Sequence, residues 1–107
     1  MSIDDSHIEV KQNEAEQRYE ISVDNQLAVL EYEQKENQIT YLHTGVPQTL
    51  EGHNLANKLV HVALEDARSA KLTVVPVCRF VASYIRRHQE YLSLLTPQEQ
   101  ARILKKS

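Results

Sequence analysis

The residues Thr49-Leu50-Glu51-Gly52-His53-Asn54-Leu55-Ala56 carry the densest chemical signal in this chain of 107 residues. A strand pattern ends before them and an amphipathic helix begins within them. Gly52, one of only two glycines, sits in the turn between. At a helix N-terminus the first backbone N–H groups lack intrahelical acceptors, and the helix dipole favours negative charge. The spacing predicts an anion site that suits the pyrophosphate of a nucleotide-like cofactor. The same turn also reads as a plain loop entering a helix. What separates the two is whether the N–H groups of Gly52 to Ala56 converge on open solvent.

Cys78, the only cysteine, ends one strand and begins a helix. A thiol at a helix N-terminus ionises more readily, whereas a cysteine buried in a core is inert. His43 lies on a strand and has the chemistry of a general base near neutral pH. A strand histidine satisfied by a backbone group is the alternative. His53 and His61 stand two helical turns apart, too far to chelate, and no His-x-x-x-His pair occurs, so no metal is expected. Arg86-Arg87-His88 is a basic cluster that suits a ribose phosphate or simply a solvated helix end. Tyr84 and Tyr91 read first as packing residues.

The elements that must position these groups follow from periodicity. Tyr19 to Asp24 alternates with period two and Leu27 to Lys35 continues it. Gln38 to Val46 is a third strand with Ile39, Tyr41 and His43 on one face. Asp24-Asn25-Gln26 and Glu36-Asn37 are turn signals, so these strands form an antiparallel meander. Pro47 breaks the pattern. A helix from Asn54 to about Ala70 places Ala56, Leu59, Val60, Ala63, Leu64 and Ala67 on its apolar stripe. Lys58, His61, Glu65 and Arg68 lie on its wet face. Leu72 to Val77 is a β-branched run of the kind found in a buried strand, reached by a helical crossover and so parallel to its neighbour. Cys78 to about His88 is a second helix, with Phe80, Val81, Tyr84 and Ile85 turned inward. Thr96-Pro97-Gln98-Glu99 is a capping box that opens a last helix to about Lys105. The lead-in, residues 1 to 17, is polar and loosely ordered or contributes a short edge strand through Ile8 and Val10. Residues 18 to 107 are expected to form one domain. The fold class is α+β in the order β-β-β-α-β-α-α, a mixed, mostly antiparallel sheet with helices packed on it.

Composition sets outer bounds. The hydrophobic fraction is 41%, enough at this length for one real core without staples. A net charge of −3 supplies no basic field for nucleic acid. One cysteine excludes an internal disulfide framework and fits a reducing compartment. No long apolar run or signal-peptide pattern is present, so the expectation is a cytoplasmic protein without membrane contact, a monomer or weak dimer.

The order of elements, with these residues in it, resembles the GNAT-type N-acetyltransferases, and most closely their small single-domain branch. The resemblance covers Ile39 to about Leu95. It is carried by His43-Thr44-Gly45-Val46-Pro47, Glu51-Gly52-His53-Asn54-Leu55-Ala56, Lys58-Leu59-Val60, Val75-Pro76-Val77-Cys78-Arg79-Phe80-Val81, Tyr84 and Arg87-His88-Gln89-Glu90-Tyr91. It implies acetyl-CoA as co-substrate, bound by Thr44, Val46, Thr49, Leu50, Glu51, Gly52, His53, Asn54, Leu55, Ala56, Cys78, Phe80, Tyr84 and Arg87. It implies His43 and Cys78 as catalytic residues, with Cys78 near the cofactor thiol. There Cys78 would take an acyl group transiently, pair with that thiol as a mixed disulfide, or line the pantetheine slot. One departure stands out. The family's pyrophosphate turn usually reads Gln/Arg-x-x-Gly-x-Gly/Ala, and here Thr49 and Asn54 occupy the first and last of these positions. Asparagine tolerates left-handed backbone best among non-glycine residues, so the turn survives, while its side chain would crowd the phosphates. Lys58, Arg86 or Arg87 would supply the missing positive charge.

Three functions follow for comparison. The first is acetyl transfer from acetyl-CoA to an amine on a protein or small molecule. The second is a non-catalytic module that binds CoA or acyl-CoA, which suits a chain shorter than a full GNAT domain. The third is a GNAT-like scaffold for protein interaction with no cofactor. Nothing in the sequence identifies the acceptor.

Overall fold

Alternating apolar residues build the sheet, and the computed structural model describes it over residues 8–105. The strands are β1 (Lys11–Asn13), β2 (Arg18–Val23), β3 (Gln26–Lys35), β4 (Gln38–Gly45) and β5 (Thr73–Pro76). They stand side by side in chain order. β1 to β4 are antiparallel, and β4 pairs with β5 in parallel. Asp24 and Asn25 both take left-handed backbone, with φ of 50° and 65°, which is what a two-residue hairpin needs to follow the sheet twist. The result is the mixed, mostly antiparallel α+β architecture that the patterning predicts. The edge strand falls on Lys11–Asn13 rather than over Ile8 and Val10, which instead lie half-buried against the core. The part of the lead-in before Ile8 lies outside the described residues.

The helices are α1 (Leu55–Ser69), α2 (Arg79–Arg87) and α3 (Pro97–Lys105), with short 3-10 turns at Gln48–Leu50 and Gln89–Leu94. α1 packs on β2, β3 and β4 and meets α2 beside it. Only the sheet face beneath them is buried: Ile21, Leu30 and Tyr41 are fully inside, while Ser22, Leu27 and Glu31 on the other face are exposed. α1 buries Leu55, Leu59, Val60, Ala63, Leu64 and Ala67. Leu55 thus takes the place expected of Ala56, which is half-buried. In α2, Ala82 is buried and Phe80 only partly so.

Polar groups fasten the layers. The Tyr41 hydroxyl donates to the carbonyl oxygen of Ala63 at 2.9 Å, and that of Tyr19 donates to Asp66 at 2.8 Å. The 3-10 turn after α2 is held to α1 by Tyr91, whose hydroxyl donates to Glu65 Oε2 at 2.6 Å. Arg68 meets the same carboxylate at 3.2 Å and lies over the Tyr91 ring. That hydrogen bond, helped by Arg68 and His61, holds the Glu65 carboxyl below its ordinary pKa. α3 starts as expected: the Glu99 N–H donates to Thr96 Oγ1 at 3.2 Å. The Glu99 side chain turns to Arg102 instead of back to the cap, and Arg102 also donates to the carbonyl oxygen of Pro76 at the end of β5.

Candidate functional site

The chain leaves β4 through Pro47 and a single 3-10 turn, anchored by buried Leu50. Gly52 follows with φ of +89°, a backbone region that L side chains rarely adopt. Asn54 then takes φ 65° and ψ 23°, left-handed as its residue type permits. An N-cap residue ordinarily sits in the β region, where its side chain reaches the N–H groups of the first turn. From the left-handed region Asn54 makes no such bond, and its Oδ1 accepts from Asn57 Nδ2 instead. The first backbone bond of α1 runs from the Lys58 N–H to the Asn54 carbonyl at 3.2 Å. The N–H groups of Leu55, Ala56 and Asn57 therefore lie ahead of the intrahelical ladder, with no side-chain cap upon them. Forgoing a cap costs a helix about 1 kcal/mol. That cost is tolerated where a ligand takes over the cap's role.

These groups border a cavity of about 360 Å³ between the end of β4, the turn, the start of α1 and Phe80. That is within the range of about 300–1,000 Å³ for small-molecule sites. Val46, Leu50, Glu51, Gly52, Asn54, Leu55, Ala56 and Phe80, singled out from sequence, all line it, and Asn57 joins them. Asn57 was legible in principle, since it stands one helical turn after Asn54 and faces the same way. Glu51 is the one ionisable side chain on the lining, so attraction for an anion must come from the backbone and the helix dipole. Thr49 does not border the cavity, and its hydroxyl donates to Gln26. His53 is half-buried beside the turn, and Arg87 is exposed in the last turn of α2. Tyr84 borders a neighbouring cavity that shares Asn54 and Asn57 with the first.

A bulge in β4 decides the rest. Tyr41 pairs with Tyr32 and His43 pairs with Glu31, so Leu42 has no partner. One inserted residue shifts the strand's alternation by one. His43 is thereby moved off the face of Ile39 and Tyr41 and exposed on the open side of the sheet, contrary to the shared face expected from spacing. Its ring lies along Gly45, where an added Cβ would come within 3.3 Å of Nε2. Thr44, opposite Leu30, turns to the helix side, and its Oγ1 lies 3.2 Å from Cys78 Sγ. Cys78 is buried at the N-cap of α2, and its N–H donates to the Tyr41 carbonyl at 2.8 Å. His43 and Cys78 thus stand on opposite sides of β4 and form no nucleophile–base pair.

That last bond marks where two strands part. β4 and β5 pair only as far as Tyr41 and Pro76, whereas β4 runs on beside β3 to Gly45. Beyond Tyr41, the edge of β4 is free of a strand on the β5 side, with Thr44 and Cys78 at the fork and the cavity at its far end. Among the described residues no group of three or more His, Cys, Asp or Glu side chains could hold a metal. None of the described helices is long and apolar enough to cross a membrane.

The mixed five-stranded sheet, its split parallel pair and the helices on one face agree with a GNAT-type N-acetyltransferase fold. Residues 18–94 match the sequence profile of the GCN5-related N-acetyltransferases, and the chain belongs to that family. The structure is similar to the NMR solution structure of a GCN5-like protein from Staphylococcus aureus, with a TM-score of 0.67 and 30% sequence identity. That likeness covers 85% of this chain and 90% of the other. No curated protein matches the sequence.

Proposed function

We propose that the chain transfers an acetyl group from acetyl-CoA to an amine on a protein or small molecule. The observation that carries this reading is the uncapped start of α1, opening into a ligand-sized cavity at the end of a split β4–β5 pair. The residues present suit the cofactor: backbone N–H groups for a pyrophosphate, a free strand edge for an amide-bearing arm, and a narrow fork for the thioester. When bound, acetyl-CoA supplies an activated acyl carbon. The free edge of β4 would align the arm by hydrogen bonds, so that much of the rate comes from positioning. His43, on the open face where an acceptor can approach, would take the proton that the amine nitrogen loses as its bond to the acyl carbon forms and the carbon–sulfur bond breaks. Cys78 and Thr44 would line the fork on the other side of the strand. The lone cysteine agrees with a cytoplasmic setting.

Calorimetric titration with CoA and acetyl-CoA, followed by acetylation assays on amine acceptors with wild type and His43→Gln, tests the reading. Saturable binding, and turnover that falls in the variant, would support it. Absence of binding up to millimolar cofactor, the level of very weak affinity, would sink it. A second reading draws on the separation of His43 from Cys78: a module that holds CoA without turnover. It predicts the same binding and no transfer to any acceptor.

A further inference from the structure

The cavity at the start of α1 does not end there. Asn54 and Asn57, joined by their side-chain hydrogen bond, form a low septum between it and a second cavity of about 450 Å³. The second cavity runs along the outer side of the first turns of α1 towards α2. Its walls have two characters. Ile8, Val10, Val62 and Tyr84 are apolar or aromatic, whereas Lys58 and His61 bring polar and cationic groups within reach. Glu9, between the two apolar strap residues, adds one carboxylate to the lining, and its exposed side chain lies 4.0 Å from the Lys11 ammonium. Ile8 and Val10 come from the segment ahead of β1 and are half-buried against the core cluster. β1 itself is clamped at the sheet edge by its pairing with β2 and by the Gln12 amide, which donates to the Tyr32 hydroxyl at 2.8 Å. The segment is thus a strap, fixed at one end by a strand and laid across the groove beside α1.

We propose that this N-terminal strap is a binding element: Ile8 and Val10 form the outer wall of a subsite for the base-and-phosphate end of the cofactor. Three features point the same way. The subsite adjoins the helix N-terminus, where a pyrophosphate would lie, and shares two residues with it. An apolar wall that includes an aromatic side chain, Tyr84, suits a planar heterocycle better than a flexible chain. Lys58, half-buried in the second turn of α1, places a cation beside it for a further phosphate. Because the lining of the first cavity has no cation, the strap and Lys58 make the groove, rather than the turn alone, the source of affinity for the nucleotide end. The proposal rests on the reading of the protein as a CoA-dependent acetyltransferase.

The test compares acetyl-CoA with S-acetylpantetheine, which carries the same thioester without the nucleotide. Kd for each is measured on wild type, on the double variant Ile8→Ser/Val10→Ser and on Lys58→Gln. The strap proposal expects acetyl-CoA to weaken by about tenfold in the double variant, since each lost apolar contact is worth on the order of a few-fold. S-acetylpantetheine should bind all three proteins alike. Lys58→Gln should weaken acetyl-CoA and leave S-acetylpantetheine unchanged, and circular dichroism of both variants controls for folding. Equal weakening of both ligands in the strap variant, or wild-type affinity for acetyl-CoA there, overturns the proposal. Failure of wild type to bind acetyl-CoA at all would instead overturn the acetyltransferase reading on which it rests.

Discussion

Replacing Asn54 by aspartate separates the site's ligand chemistry from the fold's stability. Aspartate is nearly isosteric and tolerates the left-handed backbone at this position, where φ is 65°. The hydrogen bond from Asn57 Nδ2 can persist, now to a carboxylate. A negative charge at the start of α1 favours the helix, by about 0.3–1 kcal/mol. The same charge lines the cavity in which a pyrophosphate would lie. Unit charges ~5 Å apart repel by about 1 kcal/mol in water and about 3 kcal/mol at an effective dielectric constant of 20. The cavity opens to solvent, so the lower part of that range applies, about 1–2 kcal/mol or roughly 5- to 30-fold in Kd. Urea unfolding should therefore show Asn54→Asp as stable as wild type or more so, while calorimetry shows weaker CoA binding. The deficit should grow as ionic strength is lowered, because salt screens the repulsion. Wild-type affinity in a stable Asn54→Asp protein would refute the anion site, since no misfolding could be invoked to explain it.

Two further outcomes are expected. Gly45→Ala places a methyl group 3.3 Å from His43 Nε2, so the imidazole must give by a few tenths of an ångström, while the 3.7 Å approach to Val29 Cγ2 is ordinary contact. If His43 is the base, that small displacement lowers kcat by roughly a few-fold while CoA affinity holds, and an unchanged kcat in steady-state assays would count against His43 as the base. Tyr91→Phe removes the hydrogen bond that most lowers the pKa of Glu65. A carboxylate with a lowered folded-state pKa adds stability above its unfolded pKa, and that stability is lost as pH falls through the folded value. Wild type should therefore lose stability between the ordinary glutamate value of 4.5 and lower pH, and Tyr91→Phe should lose less over that interval. Thermal melts from pH 6 to about pH 2.5 check it, and parallel curves for the two proteins would contradict the assignment.

The element order was legible because helix and strand periods are written locally. α1 and α2 declare themselves by stripes three and four residues apart, and the hairpins by Asp24-Asn25 and Glu36-Asn37. The turn before α1 was legible for the same reason: Gly52, Asn54 and the helix start are neighbours in the chain, and the left-handed backbone of Asn54 follows from its residue type. The position of His43 was not legible in this way. A bulge adds one residue to one strand of a pair, so it exists only in the register between β3 and β4. In the sequence it leaves no more than adjacent Tyr41 and Leu42 where alternation should hold. That single inserted residue turned His43 to the open face and Thr44 towards Cys78. The period-two spacing of Ile8 and Val10 suits either a short edge strand or a loosely ordered lead-in. Pairing with β2 starts only at Lys11, so their side chains were left to wall a groove beside α1. Local sequence determined which elements form and where the helix N-terminus opens. Tertiary structure decided which faces the chemically active side chains share, because register and packing depend on residues far apart in the chain.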